Sequence, residues 1–289
     1  MIKIDLPTSV AGALAAPTPG ERITVVAAGF PWSALTWGDP TDFKNARPLL
    51  LIHGVTSSAA TWWRVGPALA ASGRRVVALD LPGHGKTGHW LGHHRFRDNA
   101  ADVAVYVRAA GLDRADLQVI GHSWGAMTAA ALPAAGLRPA TIVLLDPPAL
   151  SQALMATLTQ DPDERIYDDL DEAVAAVGRK NPDWHPRDIH AKAEALTELD
   201  EAAARSVLLD NGDWDGGLGD LADPAAAGVP VWIVRGDPEA GGYLPDAAFD
   251  AWAERVGRDH VTTIDGGPHS PHRLHPQETT AALLHALDG

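Results

Sequence analysis

The pentapeptide Gly121-His122-Ser123-Trp124-Gly125 joins the apolar run Leu117-Gln118-Val119-Ile120 to the alanine-rich run Ala126-Met127-Thr128-Ala129-Ala130-Ala131-Leu132. The first run predicts a buried strand and the second predicts a helix. A serine between them has to lie in a tight, strained turn. Glycines on either side leave room, because a Cβ there would strike the neighbouring strand or helix. We therefore expect the Ser123 hydroxyl to project above a sheet edge, beside the positive end of the following helix.

The composition is that of an ordinary globular enzyme. The 289 residues are 46% hydrophobic and 21% charged, enough for one α/β domain or a domain with an insert. The formal net charge of −14 argues against a nucleic-acid partner and against binding to an anionic membrane. The chain has no cysteine, which excludes disulfides, thiolate metal sites and a cysteine nucleophile.

The N-terminal region lacks the pattern of a secretion signal. Lys3 is followed at once by Asp5, and Pro7, Gly12 and Pro17 break up the only apolar stretch, Val10–Ala16. No apolar run approaches the length of a bilayer span, and no Asn-x-Ser/Thr acceptor occurs. We expect a cytoplasmic protein, with homo-oligomerisation left open.

Short β-rich runs alternate with helical stretches, which predicts a doubly wound α/β fold around a mostly parallel eight-stranded sheet. An opening hairpin and six further strands are expected at Arg22–Ala27, Trp32–Trp37, Pro48–Ile52, Arg75–Leu79, Leu117–Ile120, Thr141–Leu145, Val229–Val234 and Val261–Ile264. The helices between them are expected at Trp62–Ala71, Arg95–Ala110, Ala126–Ala135, Asp246–Val256 and His275–Leu287.

The stretch between the sixth and seventh strands is far too long for one crossover. It is acidic, alanine-rich and helical in pattern, for example at Leu170–Val177 and Ile189–Val207. We expect residues 147–225 to form a helical cap, or lid, over the strand ends, with residues 1–146 and 226–289 as the core. The alternative is that these helices pack on one flank of the sheet.

Four separate segments then point to one family. They are Leu49-Leu50-Leu51-Ile52-His53-Gly54-Val55, Leu79-Asp80-Leu81-Pro82-Gly83-His84-Gly85, the pentapeptide around Ser123, and Gly266-Gly267-Pro268-His269. In this order and register the chain resembles the α/β-hydrolase fold family, of the serine hydrolase or esterase type. The resemblance covers nearly the whole chain outside the insert.

The resemblance implies a catalytic triad in the order serine, acid, histidine. Ser123 at the nucleophile elbow would be the nucleophile, and His269, on the loop after the last strand, would be the base. His272 and His275 follow closely and remain alternatives for the base.

The acid has three candidates. Asp237, after the penultimate strand, is preferred over Glu239 because an Asp-Pro pair holds this place in some relatives, while others use the position of Glu239. Asp146, at the end of the preceding strand, is the third, because other family members place their acid there. Its alternative role is that of a turn or helix-cap residue.

The resemblance also implies an oxyanion hole formed by the backbone amides of Val55 and Trp124. Residues near the predicted catalytic loops and in the insert are candidates for the substrate pocket: His53, Trp62, Trp63, His122, Trp184 and Trp214. The tryptophans suit a bulky acyl or ring substrate, although core packing is the commoner fate of any one of them.

No cofactor or metal is expected. Position 80 is Asp80 where a phosphate-binding loop ending at Gly85 would need glycine, and no Gly-x-Gly-x-x-Gly follows a strand. His89 and His93 have metal-site spacing, but glycines weaken any helix there.

The predicted activity is hydrolysis of a small-molecule carboxylic ester, lactone or amide through an acyl-enzyme, most simply as a carboxylic ester hydrolase of class EC 3.1.1. Ser123 argues against epoxide and halide chemistry, for which relatives use aspartate at the elbow. The alternatives are a carbon–carbon bond hydrolase on the same triad, or a non-catalytic ligand receptor of the same fold.

Overall fold

A central sheet organises the molecule, for which a computed structural model describes residues 5–88, 92, 94–161, 163–223 and 226–289. The strands in this part are β1 (Glu21–Ala27), β2 (Phe30–Trp37), β3 (Arg47–Ile52), β4 (Arg74–Leu79), β5 (Gln118–His122), β6 (Thr141–Leu145), β7 (Ala149–Leu150), β8 (Trp214–Asp215), β9 (Val231–Gly236) and β10 (Val261–Ile264). Eight of them form one sheet in the order β1-β2-β4-β3-β5-β6-β9-β10. Within this sheet β2 pairs antiparallel with β1 and with β4, and the other five pairings are parallel. The eight-stranded, mostly parallel sheet is therefore confirmed.

Helices of the described residues are α1 (Thr8–Ala15), α2 (Val65–Ala70), α3 (Phe96–Ala109), α4 (Trp124–Ala131), α5 (Gln152–Leu158), α6 (Leu170–Lys180), α7 (Pro186–Thr197), α8 (Glu201–Leu209), α9 (Leu218–Leu221), α10 (Asp246–Val256), α11 (Pro271–Leu274) and α12 (Pro276–Asp288). None of them is long and apolar enough to cross a bilayer.

Each face of the sheet is covered by its own set of helices. Leu50 and Ile52 of β3 pack on the face that carries α3, α4 and α10, whereas Leu49 and Leu51 pack with α1, α2 and α12. Because successive side chains of a strand point to opposite faces, a continuous apolar run is what a sheet buried on both sides requires. This two-sided arrangement confirms the doubly wound fold.

The segment between β6 and β9 carries α5 to α9 and the short β7–β8 ribbon, which pairs Leu150 with Trp214. We call residues 147–225 the insert. Its small core, which includes Tyr167, Val177 and Leu196, is separate from the two clusters on the sheet.

Three local features differ from the sequence expectation. The helix expected over Ile189–Val207 is two helices, α7 and α8, because the Asp200 side chain accepts hydrogen bonds from the Ala202 and Ala203 amides and begins a new helix. Helix α1 and the β7–β8 ribbon were not expected. His89 and His93 lie outside the described residues.

Candidate active site

The turn around Ser123 has the strain that its sequence predicts. Ser123 follows β5 directly, has φ of +56° and precedes α4. A Cβ on Gly121 would lie 2.1 Å from the Gly125 carbonyl oxygen, and one on Gly125 would lie 2.4 Å from the Ile52 carbonyl oxygen. Both glycines are therefore required for the backbone to bend here.

A chain of short hydrogen bonds links a serine, a histidine and a carboxylate. Ser123 Oγ lies 2.8 Å from His269 Nε2, and His269 Nδ1 lies 2.6 Å from Asp146 Oδ2. A carboxylate can only accept, so Nδ1 carries the proton of the neutral ring and Nε2 offers its lone pair to the serine hydroxyl. This is the geometry in which an imidazole can remove the serine proton.

Asp146 is held rigidly at the end of β6. Its side chain is fully buried, and its own φ is +42°. Besides His269, the carboxylate accepts a hydrogen bond of 2.9 Å from the Gly236 amide and another of 2.9 Å from the Tyr243 amide. The buried charge is therefore compensated by three donors.

The expectation that Asp237 lies against His269 is wrong. Asp237 lies at the surface, where its carboxylate accepts hydrogen bonds from the backbone amides of Gly266 and Glu239. These two amides lower the pKa of Asp237. The Asp237 side chain thus closes its own loop, Glu239 is exposed on the same turn, and Asp146 takes the place beside the imidazole.

The alternative histidines are occupied elsewhere. His272 is buried, stacks on Trp62 with ring centroids 5.1 Å apart, and shares a hydrogen bond with Thr61 Oγ1. Burial, followed by the charge of Arg273, lowers the pKa of His272 well below 6.5, so the ring is neutral. His275 lies at the start of α12, where its carbonyl accepts from the Thr279 amide.

Two rings hold His269 in place. His122 Nε2 donates to the His269 carbonyl oxygen at 2.8 Å, and the Tyr243 ring stacks on the imidazole at a centroid distance of 4.1 Å. Burial and the neighbouring His272 lower the pKa of His122 well below 6.5. In a neutral His122 the proton on Nε2 is donated to the His269 carbonyl, which fixes the loop that carries His269.

The two expected oxyanion donors are the backbone amide of Trp124, the residue directly after Ser123, and that of Val55. Trp124 is the first residue of α4, so its amide has no partner within the helix, and Val55 lines the cavity beside Ser123. Among the hydrogen bonds of the described residues, neither amide donates to a protein acceptor.

The insert fixes the loop that carries Val55. Thr56 has φ of +56°, a conformation that is costly for a β-branched residue. Lys192 Nζ donates to Thr56 O at 2.9 Å, to Thr56 Oγ1 at 2.6 Å and to Glu164 Oε2 at 2.5 Å. Glu164 also accepts from Thr56 Oγ1 at 2.7 Å. Against the effect of burial, Lys192 and Thr56 lower the pKa of Glu164 to about 2.

Sequence reasoning missed Lys192, although one signal was present. Lys192 lies three residues after Ile189 and four before Leu196, on the apolar stripe of α7 where a charged residue needs a partner. That partner, Thr56, is 136 positions away in the sequence and could not be read from it.

A cavity of about 390 Å³ lies above Ser123 and His269. Three of the six expected pocket residues line it, namely His122 from the core and Trp184 and Trp214 from the insert. Aliphatic side chains from the β7 region, α5 and α8, including Leu150, Met155, Leu158 and Leu208, complete an apolar wall.

The other three expected pocket residues are buried and lie outside the lining. His53 donates from Nδ1 to the Gly54 carbonyl and accepts at Nε2 from the Leu81 amide, which joins two loops. Trp62 belongs to the core on the α2 side of the sheet. Trp63 donates from its indole nitrogen to Asp188 at 2.8 Å.

Comparison with known proteins identifies the family of the fold. The family model of the alpha/beta hydrolase fold matches residues 47–225, which is more than half of the chain. The chain belongs to the α/β-hydrolase fold family. Epoxide hydrolase B of Mycobacterium tuberculosis is 28% identical over 236 residues, which cover 74% of this chain and 64% of that protein.

Solved structures of low identity share the fold. E-2-(acetamidomethylene)succinate hydrolase superposes with a TM-score of 0.77 at 21% identity over 93% of this chain and 100% of that one. An esterase from Rhodococcus sp. ECU1013 superposes with a TM-score of 0.69 at 20% identity over 93% and 98%. The chain spans 26% and 64% of the length of the first two curated relatives it matches.

Proposed function

We propose that the protein is a serine hydrolase that cleaves a small-molecule carboxylic ester, lactone or amide through an acyl-enzyme. One observation carries this proposal: the unbroken hydrogen-bond chain from Ser123 Oγ through His269 to Asp146, with distances of 2.8 and 2.6 Å. The three side chains come from loops after three different strands, as a triad held by a rigid sheet requires.

In the acylation step Ser123 Oγ attacks the carbonyl carbon of the substrate and His269 Nε2 takes the serine proton. Asp146 stabilises the imidazolium that forms. The carbonyl oxygen becomes an oxyanion, to which the Val55 and Trp124 amides donate; each such donor typically lowers the barrier by about 3 kcal/mol. The bond to the leaving group then breaks, and His269 returns the proton to the leaving oxygen or nitrogen.

In the deacylation step a water molecule takes the place of the leaving group. His269 removes a proton from the water, whose oxygen attacks the acyl carbon through a second oxyanion in the same hole. When the bond to Ser123 Oγ breaks, His269 protonates the serine. The products are a carboxylic acid and the free enzyme.

The insert acts as the cap in this proposal. Its side chains form most of the apolar wall over Ser123, and Lys192 fixes the backbone next to Val55. A site closed from above excludes water other than the one that reacts, and a shaped wall selects the acyl group.

Serine at the elbow favours acyl transfer over epoxide opening. Ser123 needs a base to become a nucleophile, and His269 Nε2 supplies that base at hydrogen-bond distance. The similarity to epoxide hydrolase B therefore supports the shared fold, while the residue at the elbow indicates different chemistry.

Labelling with a fluorophosphonate probe tests the proposal directly. The wild-type protein is expected to be labelled and to release 4-nitrophenol from aryl esters. Ser123→Ala should not be labelled, and its kcat should be about 10⁴- to 10⁶-fold lower, because nucleophile and base act as a unit. Ser270→Ala is the matched control, because Ser270 also lines the cavity but, among the hydrogen bonds of the described residues, has none to the His269 ring.

Retained turnover in a folded Ser123→Ala protein would contradict the proposal. Labelling without turnover of any ester, lactone or amide would favour a ligand receptor. Cleavage of a carbon–carbon bond in a dienone substrate, with aryl esters left intact, would favour the carbon–carbon hydrolase instead.

A further inference from the structure

The cavity has the opposite charge balance to the rest of the protein. The whole chain has a formal net charge of −14. Among the described lining residues, however, the three acidic side chains Asp161, Glu164 and Glu201 are outnumbered by basic ones. The basic lining residues are Arg165, Lys180, Lys192, Arg205 and Arg273. A basic lining group that lacks a carboxylate partner would favour an anionic occupant.

Most of these basic groups already have partners or are solvated. Lys192 pairs with Glu164 at 2.5 Å, and Lys180 pairs with Asp161 at 2.5 Å. Arg165 pairs with Glu172 on α6, and Arg205 is exposed. Their charges are therefore compensated without a ligand.

Arg273 is different. It is only 6% exposed, and its Nη2 donates to Thr61 Oγ1 at 3.0 Å. Its Nε and Nη1 are buried and have no hydrogen-bond acceptor among the described residues. No carboxylate oxygen of these residues lies within 4.0 Å of the guanidinium nitrogens, the distance of an ion pair. Burial lowers the pKa of Arg273, which Asp188 and Glu164 oppose only from a distance.

A buried guanidinium without a carboxylate in ion-pair contact is costly, because it has lost water and gained little in return. The Trp184 ring covers one face of the group, with Cζ 4.1 Å from the ring centroid. Arg273 is thereby held by a ring and by one hydroxyl, while Nε and Nη1 lack an acceptor in the part of the chain that the structure describes. The planar fork of a guanidinium matches both oxygens of a carboxylate.

We propose that the substrate carries a carboxylate besides the acyl group that is cleaved, and that Arg273 binds this carboxylate. The inference rests on the proposed function. It narrows the substrate class to anionic esters, lactones or amides, such as the half-esters and half-amides of dicarboxylic acids. Arg273 lies four residues after His269, so one short segment would supply both the base and the anion site.

Two matched probes test this charge preference. One is a 4-nitrophenyl half-ester of a dicarboxylic acid, and the other has a primary amide in place of the free carboxylate. Adipate and pimelate derivatives are preferred to shorter ones, whose carboxylate would attack its own ester. Enzyme-free rates are subtracted. Wild-type kcat/KM is expected to be about ten- to a hundredfold higher for the carboxylate probe, the factor that a hydrogen bond to a charged group carries.

Arg273→Met should abolish this preference by lowering kcat/KM for the carboxylate probe, with the amide probe affected about twofold. Arg273→Lys should restore part of the preference, because it returns the charge without the planar fork. Arg179→Met, which removes one exposed charge from α6 of the insert, is the control and should leave the preference unchanged.

Calorimetric binding of the two probes to Ser123→Ala gives a second readout that needs no turnover and does not depend on the folding of an Arg273 variant. Equal binding of both probes, or a preference that survives in Arg273→Met, overturns the inference; this is the result if buried water alone satisfies Arg273. Serine-dependent cleavage of both probes at equal rates would leave the proposed function intact and remove only the inference. Absence of fluorophosphonate labelling would remove the proposed function itself.

Discussion

Two neighbouring strands, β6 and β9, are each followed directly by an aspartate at the same edge of the sheet, yet the two carboxylates have opposite environments. Asp146 is fully buried and accepts hydrogen bonds from Gly236, Tyr243 and His269. Asp237 lies at the surface, where its carboxylate accepts hydrogen bonds from the amides of Glu239, on its own loop, and Gly266, on the adjoining loop. A strand-end position therefore makes a carboxylate a candidate, and the loop that folds over it decides its role.

The loop after β9 makes this decision. It turns back so that the Gly236 and Tyr243 amides both reach the carboxylate at the end of β6. A Cβ on Gly236 would lie 2.6 Å from the Pro268 carbonyl oxygen, so glycine also lets the His269 loop approach. The same backbone thus holds both the acid and the base.

The largest expected effect on catalysis comes from Asp146, at the end of β6. Asp146→Asn should lower kcat for an aryl ester about 10⁴-fold, because an amide no longer fixes the required tautomer or stabilises the imidazolium. Steady-state kinetics measures the loss, and circular dichroism checks the fold. A kcat within tenfold of wild type would show that Asp146 is only structural.

Asp146→Ala separates the two functions of this carboxylate. It leaves the buried Gly236 and Tyr243 amides without an acceptor, at about 1–3 kcal/mol for each donor. The free energy of unfolding in urea should fall further than in Asp146→Asn, while kcat falls to a similar level.

The loop after β3, which carries Val55 and Thr56, extends the comparison to a third strand. This loop is held by Lys192 of the insert rather than by the sheet. Lys192→Met should lower kcat about ten- to a hundredfold with a smaller change in KM, since a released Thr56 displaces the neighbouring Val55 amide. Lys180→Met is the matched control: it removes a partner of Glu164 but has no hydrogen bond to Thr56. Equal losses in both variants would assign the effect to charge rather than to loop position.

Buried histidines near the site and the surface carboxylate of Asp237 should respond to acid in different pH ranges. The pKa of His272, which packs beside His122, is lowered well below 6.5, so the native ring stays neutral while the unfolded ring takes up a proton. This contribution to stability is fully present above about pH 6.5. It is lost as the pH falls below that value, by about 1.4 kcal/mol per pH unit for one histidine.

Urea unfolding at pH 7.5, 6.5 and 5.5 should therefore show a smaller slope with pH in His272→Gln than in wild type. His53, His84 and His122 are also buried with lowered pKa values and act in the same direction, so the difference between the two proteins is the measurement. Asp237 contributes in the other range: its pKa is lowered from 3.8, so its stabilisation is present above that value and is lost only in stronger acid. An identical slope in both proteins would contradict the assignment to His272.

The smallest effect on catalysis is expected at Asp237, after β9. Asp237→Asn should change kcat/KM by no more than about twofold, because the side chain is only half-buried and has no hydrogen bond to His269 in the described structure. A loss comparable to that of Asp146→Asn would reverse the comparison.

Features set by short stretches of chain were predictable from the sequence. The strand and helix around Ser123, the need for Gly121 and Gly125, and the sites of all eight strands of the main sheet follow from local patterns and sterics. The contact between Ser123 and His269 followed from motif order, because the carboxyl ends of parallel strands meet at one edge.

Features set by long-range packing were not predictable. Asp146 and Asp237 look alike in sequence, and what separates them is a contact between Asp146 and Tyr243, 97 positions apart. Trp62 and Trp63 are close to the catalytic loop in sequence, but packing places their rings in the core and against Asp188.

The bond between Lys192 and the Thr56 backbone has a consequence for protein engineering. If the proposed function holds, grafting residues 147–225 of a homologue onto this scaffold is a way to exchange acyl selectivity. A chimera made in this way keeps its reactive serine but releases the turn at Thr56 unless the donor segment also brings the lysine and glutamate as a pair. Specificity and rate are therefore transplanted together or not at all.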